Sequence, residues 1–294
     1  MQYEKELKDY FLRNKRQMIS DVEALVNINS ERTAPEAGKP YGAGAAACLD
    51  KAGEIMAGHG FQVQGYDYHV IAADLGPAPR KLDILAHLDV VPAGGGWTVT
   101  KPFEMEVLDG RIYGRGTADD KGPAMCAFYA MRAIRDLGIP LKAGVRLILG
   151  SDEECGGSDL AYYYTKEKPA EMSFSPDSKF PLIHIEKGRL HLGFTAEAEL
   201  SAALPRVLQI HGGEKSNVIP DLAECRVKGI SEEDVRCAER KLPAWGQVSF
   251  SCKAENGSLF ITARGLTAHG SAPEKGHNAL TALLGLLAEH PQAA

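Results

Sequence analysis

Three short apolar runs, LDILAHLDVV (82–91), VRLILGSDEE (145–154) and EMSFSPD (171–177), each close on residues that hold protons or metals. The first ends at His87-Leu88-Asp89, the second at Asp152-Glu153-Glu154 and the third at Asp177. Runs of this length read as strands, and the segment 121–137 between the first two has helical periodicity. Strands alternating with helices predict an α/β fold, a mostly parallel sheet with helices on both faces, because only such a sheet buries each strand on both sides. In an open parallel sheet the carboxyl ends of neighbouring strands line one crevice. The three clusters are therefore expected to meet in space although they lie far apart in the chain.

A fourth cluster, GRGTADDKG (114–122), adds Asp119 and Asp120 in a glycine-rich loop ahead of the predicted helix. Its Gly114-x-Gly116 lacks the third glycine of a dinucleotide loop, so a nucleotide site is not expected there. So many carboxylates around one histidine would be unstable without a positive charge among them, since desolvated like charges are costly. A divalent metal, and more naturally two, would compensate. Oxygen-rich ligation with few histidines suits zinc, manganese or cobalt, and ligand type alone does not choose among them.

The rest of the chain narrows the partners. A net charge of -6 and a pI near 5.9 provide no basic stripe for nucleic acid. The first 20 residues are charged and helical in pattern rather than a signal peptide, and no apolar run reaches the ~18 residues of a membrane span, so the cytoplasm is the expected location and no membrane partner is expected. Six scattered cysteines form neither a CxxC pair nor a zinc-finger spacing, and are read as reduced thiols. Helices are expected over 3–27 and 44–58, the second closed by Gly58-His59-Gly60. Beyond Gly188, strand-like segments at 188–198, 217–230, 246–255 and 257–265 alternate with a helix opened by Ser231 and an apolar helix near 278–289. This is a smaller α+β unit, giving domains at 1–186 and 187–294. A capping box is expected at Ser231, with an acid three residues on.

In order and spacing, HLDVVPAGGGW, GRGTADDKGP, GSDEECGG and FSPDSKFP resemble the M20 metallopeptidases, and within them the PepV-like, carnosinase-related dipeptidases. The likeness runs on through GLTAHGSAPEKGHNA, essentially the whole chain. It implies a zinc-peptidase-like catalytic domain with a lid domain, and hydrolysis of short peptides that have a free N-terminus. Carried over residue by residue, it implies that Asp119 bridges two divalent ions, zinc foremost, that His87 and Asp177 complete one site and that Glu154 belongs to the other. Glu153 would be the general base, taking a proton from a metal-bridging water and passing it to the leaving amine. Asp89 would hold the His87 imidazole in its ligating tautomer. In the lid, His269 would stabilise the oxyanion and Asn217 would lie near the substrate. Asp152 has no implied role and is read as local turn or capping structure, and the other seven histidines as structural or solvent-exposed.

The resemblance also implies a segment returning from the lid to the catalytic domain, carrying a last histidine ligand and an arginine for the substrate carboxylate. The chain reaches Ala294 inside or just after the first half of the lid, so the fold is expected to be C-terminally incomplete and the sequence a fragment of a longer enzyme. Two alternatives stay open. One is a deacylase of the same superfamily, of the acetylornithine or succinyl-diaminopimelate type. The other, if 294 residues are the whole polypeptide, is an inactive or non-catalytic protein that binds metal or peptide. Whether the lid forms a homodimer also stays open.

Overall fold

The computed structural model describes residues 3–185, 187–188, 190, 192–195, 202–213, 217–242 and 247–289. The chain divides into two compact units, the first ending at His184 and the second beginning at Ile185. Glu186, His191 and His290 fall outside the described residues, as do 189 and 196–198; the described part of the strand expected at 188–198, residues 188, 190 and 192–195, forms no strand.

The first unit opens with α1 (Glu4–Val26) and α2 (Ala43–Gly58). Helix α2 packs through small residues, Ala45, Ala46, Cys48 and Ala52, all buried. It stops as its closing triplet predicts: Gly60 takes φ +83, a left-handed turn that a side chain disfavours. The sheet strands are β1 (Val63–Tyr66), β2 (Val70–Leu75) and β3 (Arg80–His87), with β6 (Gly144–Gly150) and β7 (Met172–Phe174) later in the chain. A small hairpin, β4 (Glu106–Leu108) and β5 (Arg111–Tyr113), precedes α3 (Lys121–Asp136), and α4 (Ser158–Lys166) links β6 to β7. The sheet order is β1-β2-β6-β3-β7, in which only β2 runs against the others.

Strand β6 shows why its sequence is apolar without alternation. Leu147 and Leu149 enter one core with Leu25, Leu49, Met56, Met125 and Phe128, while Ile148 points to the other face and packs with Val70, Ala72 and Tyr163. Helices cover both faces, and each fully buried aliphatic side chain contributes roughly 1.5–3 kcal/mol. Strand β7 departs from the expected buried run. Among the described residues it pairs only with β3 at the sheet edge, and Met172 and Phe174 are 59% and 48% exposed.

Lys121, the first residue of α3, is fully buried. Its ammonium donates to the carbonyl oxygens of Leu25 (2.9 Å) and Ile28 (2.8 Å) at the end of α1, where a helix leaves carbonyls without partners and favours a cation. Burial lowers its pKa. Lys121→Met keeps the volume but removes the ammonium from the Ile28 carbonyl, while the Leu25 carbonyl still accepts the Ile28 N–H (3.1 Å). We expect it to cost about 1–3 kcal/mol in urea unfolding, the cost of one buried acceptor left unsatisfied. An unchanged midpoint would rule out this capping role.

The second unit contains β8 (Arg206–Gly212), β9 (Val218–Ile219), β10 (Leu222–Lys228), α5 (Glu232–Glu239), β11 (Ser249–Glu255), β12 (Ser258–Arg264), β13 (Ala268–His269) and α6 (Ala279–Ala288). Four strands form an antiparallel sheet ordered β11-β12-β10-β8. Along β10, Ala223, Cys225 and Val227 are buried against α5 and α6, while Glu224, Arg226 and Lys228 face outward. This is the period-2 alternation of a one-sided sheet. The capping box forms: Ser231 accepts from the Asp234 N–H, and the Asp234 carboxylate accepts from the Ser231 N–H. Among the described residues no helix is long and apolar enough to cross a membrane, and all six cysteines are free thiols.

Candidate metal centre

Register brings the first-unit candidates together. His87 is the last residue of β3 and pairs with Gly150, the last of β6, so the acids after β6 emerge beside it. The Leu88 N–H donates to the Gly150 carbonyl (2.9 Å) and continues the ladder one step further. On the other side, Ile84 pairs with Phe174 in parallel, which puts Asp177 level with His87. The loop before α3 supplies Asp119 and Asp120 from a third direction.

The His87 Nε2 lies 3.1 Å from Asp119 Oδ1, 3.4 Å from Asp177 Oδ2 and 4.0 Å from Glu153 Oε2. Two groups of donor atoms, from His87, Asp119 and Glu154 and from His87, Glu153 and Asp177, each lie within 4.8 Å of one another. All five of these candidates therefore converge, with His87 common to both groups. On the far side of the ring, Nδ1 sits 3.0 Å from the Asp89 carbonyl and 3.3 Å from its carboxylate, so a partner for the non-ligating nitrogen is in place.

Asp89 does more than face the imidazole. Its two carboxylate oxygens accept the backbone N–H groups of Glu153 (3.2 Å) and Glu154 (3.1 Å). Asp159, fully buried in the first turn of α4, accepts those of Ser151 (2.6 Å) and Asp152 (3.0 Å). Four consecutive amides are thus held by two buried carboxylates, which fixes the direction in which the acidic loop presents its side chains. Asp152 itself is fully buried and accepts from the Ser158 N–H (3.1 Å) and hydroxyl (2.5 Å) at the start of α4, consistent with a capping role.

Asp159 and Asp120 carry roles not foreseen from the sequence. Asp120 Oδ2 accepts the His87 N–H (3.1 Å), while its buried Oδ1 has no hydrogen-bond partner among the described residues. A pointer to Asp159 lay in its position, an acid in the first turn of a helix just after the turn Gly156-Gly157. Nothing local marks Asp120 apart from Asp119.

The electrostatics of this cluster call for a cation. Burial pushes Glu154 and Asp120 up to about 7 and raises Glu153 as well, with neighbouring carboxylates adding to the effect. Burial alone would lower the His87 pKa, but its contacts with Asp119, Asp177 and Asp89 outweigh it and raise the value. The same His87 contact holds Asp119 below the usual carboxylate range. One imidazolium cannot neutralise this many acids, and the orphaned Asp120 oxygen and the oxygen-rich donor set fit a divalent metal.

The lid candidates lie in the second unit. His269 pairs with Val218 in the β13–β9 ladder, and the Gly270 N–H donates to the Asn217 carbonyl (2.6 Å), so His269 and Asn217 share one corner. The exposed His269 ring accepts the Ser271 N–H at Nδ1 (3.2 Å), which in the neutral ring leaves the proton on Nε2. Of the remaining histidines, His59 meets Asp21 (2.8 Å) and His69 meets Tyr41 (2.8 Å), both structural contacts.

YtjP of Bacillus subtilis (strain 168) is 34% identical over 272 residues, covering 91% of this chain and 58% of that protein. The Beta-Ala-Xaa dipeptidase of Lactobacillus delbrueckii subsp. lactis is 32% identical over 269 residues, covering 90% of this chain and 57% of the dipeptidase. The chain thus spans less than two thirds of the length of these relatives. The crystal structure of human carnosine dipeptidase 1 superposes with a TM-score of 0.54 at 16% identity, covering 98% of this chain and 78% of that one, and shares the fold. A profile of peptidase family M20/M25/M40 matches residues 84–272, from within β3 to just past the His269 corner. Every residue of the candidate metal centre lies inside that match, and the chain belongs to peptidase family M20/M25/M40.

Proposed function

We propose that the chain carries the metal centre of a dipeptidase that hydrolyses short peptides with a free N-terminus, with Glu153 as general base. The observation that carries this reading is the setting of Glu153. Its amide is fixed by Asp89, its carboxylate faces His87 and Asp177, and burial raises its pKa toward the range a base needs at neutral pH. The likeness to a Beta-Ala-Xaa dipeptidase supports the substrate class.

His87, Asp119, Asp177 and Glu154 would hold two divalent ions, zinc foremost. Such ions, when bound, polarise a peptide carbonyl and acidify water. Glu153 takes the proton from the attacking water and delivers it to the leaving amine. Asp89 keeps the His87 ring oriented through Nδ1. In the lid reading, His269 offers the proton on Nε2 as a hydrogen bond to the developing oxyanion, and Asn217 lines the same corner.

The test is a substrate panel with zinc, manganese or cobalt added. Hydrolysis of free dipeptides, together with loss of turnover when the same dipeptides are N-acetylated, is the expected result. Preferential cleavage of N-acyl amino acids would replace the dipeptidase reading with the deacylase one. Absence of any hydrolysis, despite bound metal, would point to the non-catalytic alternative.

A further inference from the structure

We propose that Arg32 is a positioning residue for the acidic loop at 152–155, holding Glu153 and Glu154 at the metal centre through a closed circuit of contacts. The inference rests on the reading that these two acids serve that centre. Arg32 Nη1 meets Asp152 Oδ1 at 2.5 Å and donates to the Cys155 carbonyl at 3.3 Å, so one guanidinium bridges the two ends of the loop. Asp152 passes the connection to Ser158, whose hydroxyl lies 2.9 Å from that of Tyr41. The Tyr41 ring in turn lies under the guanidinium, 5.3 Å from centroid to carbon, which closes the circuit.

Three features make this more than a surface ion pair. Asp152 is fully buried, so removing Arg32 leaves an interior carboxylate with its Ser158 hydrogen bonds but without the cation that faces its other oxygen. The planar guanidinium lies over the Tyr41 ring while Nη1 serves both acceptors, and a lysine ammonium, a point charge on a flexible stem, lacks that flat stacking surface. The segment bearing Arg32 is itself pinned to the strand end carrying His87: the Ser30 hydroxyl donates to the Leu88 carbonyl (2.6 Å), and the Glu31 carboxylate accepts the Ala93 N–H (2.8 Å). One short stretch, 30–32, therefore ties the histidine end of β3 to the acidic loop after β6. Asp89 and Asp159 hold the amides of that loop, and Arg32 fixes its two ends.

The experiment uses the full chain with Arg32→Met, Arg32→Lys and, as a control remote from the centre, Arg135→Met. Arg135 donates to the His59 carbonyl and to Asp136, so its loss probes general destabilisation. Two quantities are read: zinc affinity by titration against a chelator, and amide hydrogen exchange at 153–157 in the metal-free chain. Arg32→Met is expected to weaken zinc about 10- to 100-fold, the usual effect of losing an outer partner of a ligand, and to speed exchange in that loop. Arg32→Lys should restore part of both, while Arg135→Met should change neither.

Wild-type zinc affinity in Arg32→Met, or an equal loss in Arg135→Met, overturns the proposal. Should Arg32→Met fail to fold, Arg32→Lys decides it, about tenfold weaker zinc supporting the role and unchanged affinity refuting it. A wild-type chain that binds zinc, shows these losses on substitution and yet cleaves no peptide would sink the dipeptidase reading and leave the positioning role standing.

Discussion

Glu153→Gln is expected to lower dipeptide hydrolysis by about 10²- to 10⁴-fold, the range a general base supplies, while leaving the metal content of the chain unchanged. The substitution keeps the shape of the side chain and its backbone bond to Asp89, and removes only the ability to accept a proton. The second readout decides between two roles. Glu153 shares a donor group with His87 and Asp177, so its carboxylate is also within reach of a cation. If Glu153 were a ligand, zinc affinity would fall together with activity, and the base would have to be sought elsewhere. If activity falls with affinity intact, the proton-transfer role holds. Full activity in the variant would remove Glu153 from the chemistry altogether.

The second large effect is the response to metal. Zinc at about 100 times its dissociation constant should stabilise the wild-type chain by about 2.7 kcal/mol, raising the melting temperature by roughly 4 °C for a chain of this size. His87→Ala should abolish that rise, because Nε2 of His87 belongs to both donor groups. The pH dependence follows from the raised carboxylates. Glu154 and Asp120 titrate near 7 in the folded, metal-free chain, against roughly 4 when unfolded. Between those values the folded state binds more protons, so the contribution of these two groups to stability is full below about pH 4 and is lost as pH rises through 7. Metal acts in the opposite sense, since it must displace those protons below 7 and finds the acids ionised above it. The zinc-induced shift in melting temperature should therefore grow from pH 5.5 to 8, and differential scanning calorimetry at several pH values measures it. A shift independent of pH would mean that the raised acids lie outside the metal site.

Much of this centre could be read from single segments. The run VRLILG is apolar without alternation because both of its faces are covered, and the same covering places Asp152, Glu153 and Glu154 at the carboxyl end of a buried strand. His87, Asp119 and Asp177 were legible for the same reason, each following a predicted strand or opening a predicted helix. Strand β7 was less legible: EMSFSPD has the composition of a buried strand, yet its Met172 and Phe174 lie on an edge. Composition reports what a residue could bury, while its place in the sheet order settles whether it does.

Asp159 and Arg32 escaped the sequence reading, and Asp120 stood in it as a member of an acidic cluster without its own role, because what distinguishes them is whom they meet. Arg32 and Asp152 are 120 positions apart in the chain, and no local pattern encodes their contact. Asp119 and Asp120 are chemically identical neighbours. Only the fold turns the first toward His87 Nε2 and the second toward the His87 backbone.

By itself the amino-acid order determined the α/β layering, the ends of the helices and the clustering of acids after the strands, because each depends on hydrophobic period and backbone bonding over a few residues. Tertiary structure alone decided which carboxylate takes which amide, which acids burial pushes up to about 7, and how residues 30–32 tie two strand ends together. Those depend on sheet register and on the exclusion of water by distant parts of the chain, and neither is a property of any one segment.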